Sequence, residues 1–119
     1  MHTEGEAVLL RIFIGESDKH GHLALYEALV RAARSQGIAG ATVLRGICGY
    51  GATSKMRQVK VLDLSSDLPV VVEIIEKESR AEEFMATVDR LMEESNSGGF
   101  VTMEKAHVVR YFRESGDGD

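Results

Sequence analysis

The chain has 119 residues, 44% apolar and 28% charged, which favours one soluble domain with its own core over a multidomain protein. Its net charge of −5, from 19 acidic and 14 basic residues, argues against a general nucleic-acid binder, which would carry a basic face. The lone Cys48 forms no internal disulfide. The polar start lacks the features of a signal peptide, and no apolar run nears the ~20 residues of a membrane helix, so a cytoplasmic protein that is not membrane-embedded is expected.

Residues 1–6 are expected to be a flexible tail. Residues 7–14 form a strand with Val8, Leu10, Ile12 and Ile14 on one face and Leu9, Arg11 and Phe13 on the other. Both faces are largely apolar, which predicts a central strand. A polar loop follows over 15–22. A helix is expected from about 23 to 36, with Tyr26, Leu29, Val30 and Ala33 as its buried stripe, Glu27, Arg31 and Arg34 in water, and Gly37 as a left-handed stop.

The run AGATVLRGICGYGA, residues 39–52, organises the rest of the chain. It starts as a strand over 40–48 and ends in Gly46, Gly49 and Gly51, with Tyr50 between the last two. Glycine weakens a strand unless the backbone must bend or lie close to something else. These glycines therefore mark a strand leaving its sheet to become an exposed loop over 49–57, a natural place for a site. Residues 59–64 read as a short extended return and 65–67 as a turn, with Pro69 at the start of the next strand.

Residues 70–76 form the third strand, with Val70, Val72 and Ile74 opposed to Val71, Glu73 and Ile75. Ser79 and Glu82 read as a capping box. The second helix runs to about 95 and buries Ala81, Phe84, Val88, Leu91 and Met92. Phe84, Met85 and Met92 are core, not a cofactor box. Gly98 and Gly99 turn the chain into a last strand ending at 111 or 112, and 113–119 is a polar tail. The order strand, helix, strand, strand, helix, strand is the split pattern of an α+β, ferredoxin-like βαββαβ sandwich, a four-stranded antiparallel sheet with two helices on one face, in one domain over 7–112. The uncovered face carries Leu9, Phe13, Val71 and Ile75 beside Arg11 and Glu73. Apolar residues there predict a closed homo-oligomer with its sheets facing one another; the alternative is a monomer with a partly apolar face.

The segments RIFIGESD (11–18), LYEA (25–28), GIAGATVLRG (37–46), GYG (49–51) and DLSSDLP (63–69) together resemble a PII-like domain-of-unknown-function family, often encoded beside fluoride-channel genes of the CrcB type. More distantly, residues 8–111 resemble the nitrogen-regulatory PII proteins. That resemblance implies a homotrimer binding an adenine nucleotide between subunits and contacting a partner through the loop after the second strand. It matches Gly49, Tyr50 and Gly51 to the opening of that loop and Thr42 to a residue near adenine. Gly98 and Gly99 match part of a phosphate loop, and Arg110 matches the first of two phosphate-binding arginines. The chain departs from the pattern in three ways. SNSGG (95–99) lacks the phosphate-loop lysine, Phe112 stands at the second arginine position with Arg113 one step off, and the partner loop is shorter. The gene neighbourhood implies a membrane transporter, such as a fluoride channel, as partner.

Three constellations carry candidate chemistry. Arg45, Lys55, Arg57 and Arg110 with the loop glycines form an anion site, since backbone N–H groups and cations together cradle phosphate; the plain alternative makes Lys55 and Arg57 solvated loop charges. The glycines do not lead into a helix, so they are not a Rossmann fingerprint. His20 and His22, with Cys48 and His107, form a candidate metal site without a CxxC or HxxxH pairing, and similar trimers of this fold are linked to copper tolerance; the plain alternative makes Cys48 a small buried hydrophobe. Glu16, Ser17 and Asp18 with His20 form a candidate acid–base group, against simple turn and cap hydrogen bonds; the resemblance assigns Glu16 and Asp18 to an intersubunit site. The leading expectation is a non-enzymatic regulator whose 49–57 loop is biased by ligand through unequal affinity for two loop states, and the second is a metal-binding stress protein.

Overall fold

The computed structural model describes residues 5–53, 56–58 and 67–114. Lys55, the expected return over 59–64 and Ser65 and Ser66 of the expected turn lie outside them. In chain order the elements are β1 (Gly5–Gly15), β2 (Lys19–His20), β3 (Leu23–Ala24), α1 (Leu25–Ser35), β4 (Gly40–Arg45), β5 (Cys48–Gly49), β6 (Arg57–Gln58), β7 (Pro69–Glu76), α2 (Glu78–Glu94) and β8 (Phe100–Val108). The four long strands form one antiparallel sheet in the order β4-β7-β1-β8. This is the ferredoxin-like arrangement, and β1 is central as its two apolar faces require.

Period-two alternation decides which side chains meet the helices. Leu10, Ile12 and Ile14 of β1 and Val70, Val72 and Ile74 of β7 are buried against Leu25, Leu29 and Ala33 of α1 and Phe84, Val88 and Leu91 of α2. Each buried Leu, Ile, Val or Phe here is worth roughly 1.5–3 kcal/mol, so this layer supplies most of the driving force for folding. Among the described residues no helix is long and apolar enough to cross a membrane.

Four local expectations are corrected. The polar loop contains a small hairpin, with Lys19 opposite Ala24 and His20 opposite Leu23, so α1 begins at Leu25. Its buried stripe is Leu25, Ala28, Leu29 and Ala33, while Tyr26 and Val30 are only half-buried on its flank. Ser79 lies inside α2, whose N-cap is Lys77 with no side-chain cap bond; the chain passes directly from β7 into the helix. β4 ends at Arg45 and β8 at Val108.

One charged residue breaks the core pattern. Glu76 continues the phase of Val70, Val72 and Ile74 and is fully buried. Its carboxylate accepts from Ala39 N at 2.9 Å, Lys77 N at 2.8 Å and Arg80 Nη1 at 3.2 Å. Arg80 also donates to the carbonyls of Gly37 at 3.0 Å and Gln36 at 2.6 Å. The pair thus ties the end of α1 to the start of α2.

The open face reads in rows set by the register. Leu44, Val71, Phe13 and Phe100 form one row, and Thr42, Glu73, Arg11 and Thr102 the next. Ile75 and Leu9 follow, with Glu104 at the edge. Arg11 Nε donates to Glu73 at 3.0 Å and Nη1 to Glu104. Phe13 and Phe100 stack with centroids 4.6 Å apart, a favourable aromatic spacing. Leu44 is 49% exposed and Phe100 44%, so the apolar row stays open to water in the single chain.

Candidate functional site

Three segments converge at the end of the sheet where β1 finishes and β7 begins. The first is the turn after β1. Glu16 N donates to Leu68 O at 2.8 Å, its carboxylate accepts from Leu68 N and Arg45, and Ser17 N donates to Asp67 Oδ1 at 3.2 Å. The second is the β5–β6 hairpin, with Cys48 opposite Gln58 and Gly49 opposite Arg57. Gly46 lets it leave the sheet: its N–H donates to Pro69 O at 2.7 Å, and a Cβ there would stand 2.9 Å from Pro69 Cγ. The third is the segment 97–99 before β8.

Asp18 joins all three. Its Oδ2 accepts from Gly15 N at 2.7 Å and from the Ser97 hydroxyl at 2.7 Å, and its Oδ1 lies 3.7 Å from the Arg57 guanidinium. Arg57 also pairs with Asp67 and lies against Gly15, where a Cβ would strike the guanidinium. The Asp67 carboxyl is pushed up by burial, but hydrogen bonds from Ser17 and Arg57, with the Arg57 charge, outweigh this and hold it below its ordinary value.

Between these segments lies a cleft lined by Phe13, Phe100, Pro69, Tyr50, Gly51, Thr53, Arg57, Gly98 and Gly99. Gly98 and Gly99 come close to a side chain and to a backbone across it. A Cβ on Gly98 would be 2.4 Å from Thr53 Cγ2, and one on Gly99 would be 2.5 Å from Phe13 O. The cleft offers about 60 Å³ of solvent-accessible space, room for a few water-sized groups but not for a whole nucleotide. Its walls are mainly apolar, and the charge of Arg57 is already met by two carboxylates.

The fold gathers Arg45, Gly49, Tyr50, Gly51, Arg57, Gly98 and Gly99 at this end. It does not bring Thr42 or Arg110 to them. Thr42 lies in the middle of the open face, opposite Glu73. Arg110 follows the far end of β8, about 27 Å from Phe100 at the rise of an extended strand, with its guanidinium 5.6 Å from the Phe112 ring. Arg57 is not a solvated loop charge, since its side chain is 11% exposed. Cys48 is exposed, not a small buried hydrophobe, because the hairpin stands clear of the core.

The other constellations are dispersed. His20 Nε2 is 2.7 Å from Glu94 Oε1; that bond, with the Arg90 charge, outweighs a little desolvation and holds the exposed Glu94 carboxyl below its ordinary value. His22 is exposed, and His107 faces Glu6 at 3.9 Å. Among the described residues no three His, Cys, Asp or Glu side chains are grouped to hold a metal ion. Glu16 and Asp18 hold backbone and arginine groups, and His20 turns away to Glu94. Ser97, Asp67 and the Phe13–Phe100 stack belong to the site and were missed from sequence, because no local pattern links positions 18 and 97 or 13 and 100.

The family profile of DUF190, described as an uncharacterized ACR, matches residues 7–108. The chain belongs to the DUF190 family. Two UPF0166 proteins resemble it over nearly their whole length. One, from Aquifex aeolicus, is 38% identical over 101 residues, covering 85% of this chain and 91% of the relative. The other, from Methanocaldococcus jannaschii, is 30% identical over 105 residues, covering 88% and 94%. Among solved structures, CPII from Thiomonas intermedia K12, a nitrogen regulatory PII-like protein bound to ADP, AMP and bicarbonate, superposes with a TM-score of 0.66 at 17% identity, covering 88% of this chain and 90% of CPII. CPII bound to ADP and bicarbonate gives 0.56 at 18%. This DUF190 chain therefore shares the PII-like fold.

Proposed function

We propose that this DUF190 protein is a non-enzymatic, cytoplasmic PII-like regulator that binds a small anionic ligand, an adenine nucleotide in the first instance, in clefts completed by neighbouring copies of a homotrimer. The observation that carries this reading is the convergence of the hairpin glycines, Arg57 and the Gly98–Gly99 segment on one cleft beside the uncovered apolar row. The cleft of one chain is too small for a nucleotide, and Thr42 and Arg110 lie away from it. Packing open faces together would place a neighbour's residues against it and enlarge it into a site. Solved CPII, of the same fold, holds ADP, AMP and bicarbonate, which supports this ligand class.

Ligand bound there would touch the hairpin that Asp18 and Asp67 hold through Arg57, and so would bias its conformation. Ile47, Tyr50 and Met56 are strongly exposed on this hairpin, which suits a partner-binding surface. The partner suggested by the family resemblance is a membrane transporter, a fluoride channel being the first to test.

The test is calorimetric titration of ATP, ADP, AMP and bicarbonate, paired with sedimentation. Saturable nucleotide binding by a trimer, weakened at least tenfold in both Arg45→Ala and Arg110→Ala, is expected. A stable monomer, or nucleotide affinity untouched by both substitutions, overturns the reading.

A further inference from the structure

We infer that the glycine cleft, taken as the ligand site proposed above, receives the flat, uncharged part of its ligand, a heteroaromatic ring, and leaves the phosphates outside. Phe100 is the platform on which that ring lies.

Charge disfavours the opposite orientation. Arg57 is the one charged side chain among the described residues that line the cleft. Its guanidinium pairs with Asp67 and lies 3.7 Å from Asp18 Oδ1. An entering phosphate would meet one cation backed by two carboxylates, which repel it. The segment SNSGG, residues 95–99, brings no cation of its own. The remaining walls are Phe13, Ile14, Pro69, Val70 and Phe100 with small residues of the hairpin, and such walls gain most by covering an apolar surface.

Shape favours a ring. Phe100 stacks on Phe13 with centroids 4.6 Å apart and planes 14° from parallel, which fixes the plane of its ring, and it is still 44% exposed. Offset stacking of rings adds to the gain from buried area, and a platform already held loses little freedom on binding. Gly98 and Gly99 keep one side of the cleft free of side chains, because a Cβ there would strike Thr53 or Phe13 O. A flat group can therefore lie close to their backbone. The accessible space of about 60 Å³ is the room of about four to six waters, which suits one flat ring and not a sugar with its phosphates as well. Those parts then fall where a neighbouring copy completes the site.

The test is calorimetric titration of adenosine, AMP and ribose 5-phosphate into the full chain. Adenosine should bind within tenfold of AMP, and ribose 5-phosphate should give no saturable heat. Nuclear Overhauser contacts from the bound adenosine ring should reach the Phe100 ring protons. Phe100→Leu keeps an apolar side chain but removes the ring. Gly51→Ala adds a methyl 3.5 Å from Phe100 Cε1 at a glycine that takes no positive φ, so it narrows the cleft without straining the backbone. Each variant should weaken adenosine and AMP alike, at least fivefold, with circular dichroism verifying its fold. Gly51→Ala keeps the test open if sedimentation shows that Phe100→Leu alters assembly. Ribose 5-phosphate binding as tightly as AMP while adenosine does not bind overturns the ring orientation and leaves the nucleotide reading standing. Adenosine affinity unchanged in both variants, or Overhauser contacts that miss Phe100, overturns it too. Failure of all three ligands to bind removes the nucleotide reading and the ring subsite together.

Discussion

The Ser97 hydroxyl donates to Asp18 Oδ2 at 2.7 Å across 79 positions of sequence. Through the other Asp18 oxygen the same carboxylate reaches Arg57. The turn after the first strand, the glycine hairpin and the segment before the last strand therefore share one polar hub. Asp18→Ala should cost about 1–3 kcal/mol, the usual penalty for leaving partly buried donors without an acceptor. It should also loosen the hairpin, so that amide exchange quickens at Gly49 and Gln58 while the amides of α2 stay protected. Urea unfolding and hydrogen exchange check both parts; an unchanged hairpin would show that Asp18 does not hold it.

At the other end, Glu76 and Arg80 form a buried pair with shared backbone partners. Removing one member of such a pair typically costs ~3–5 kcal/mol, because the remaining charge loses its partner. Glu76→Ala should fall in that range by urea denaturation. Arg80→Met should cost at least as much, since it leaves the fully buried Glu76 carboxylate without its cation. The double variant should be less destabilised than the sum of the two single variants.

Acid should release the hairpin early. The hydrogen bonds from Ser17 and the Arg57 charge outweigh the burial of Asp67 and lower its pKa in the folded protein. A lowered folded pKa gives stability that is complete above the unfolded value of about 3.9 and is lost as pH falls through the folded value. Stability should thus decline below about pH 4, and Asp67→Asn should flatten that part of the profile. Chemical denaturation at stepped pH measures the slope; an unaltered slope in the variant would exclude Asp67 as its source.

The open face makes a prediction about assembly. Leu44, Val71, Phe13 and Phe100 form a continuous apolar row, and Leu44 contributes little to the monomer's core because it is half in water. Leu44→Asp should leave the monomer's melting nearly unchanged, within about 0.5 kcal/mol as for other surface sites, yet shift the proposed homotrimer toward monomer by sedimentation. An oligomer indifferent to this charge would have to be built on another surface.

The amino-acid order alone carried the strands, the helices and the inward faces of β1 and β7. Side-chain direction follows the backbone period, two in a strand and 3.6 in a helix, so local spacing is enough. It also carried the glycine run as the place where the chain leaves the sheet: a Cβ on Gly46 would crowd Pro69, and Gly49 takes a positive φ. The same alternation placed Glu76 on the buried face, but only the packed structure supplied Ala39 N and Arg80 to receive it. Tertiary structure alone decided that Asp18 meets Ser97, that Arg57 is a held group and not a solvated one, and that Arg110 lies a strand's length from the glycines. Those outcomes depend on register and on which loops share an end of the sheet. Both are set by the sum of many weak packing contacts and not by any short stretch of sequence.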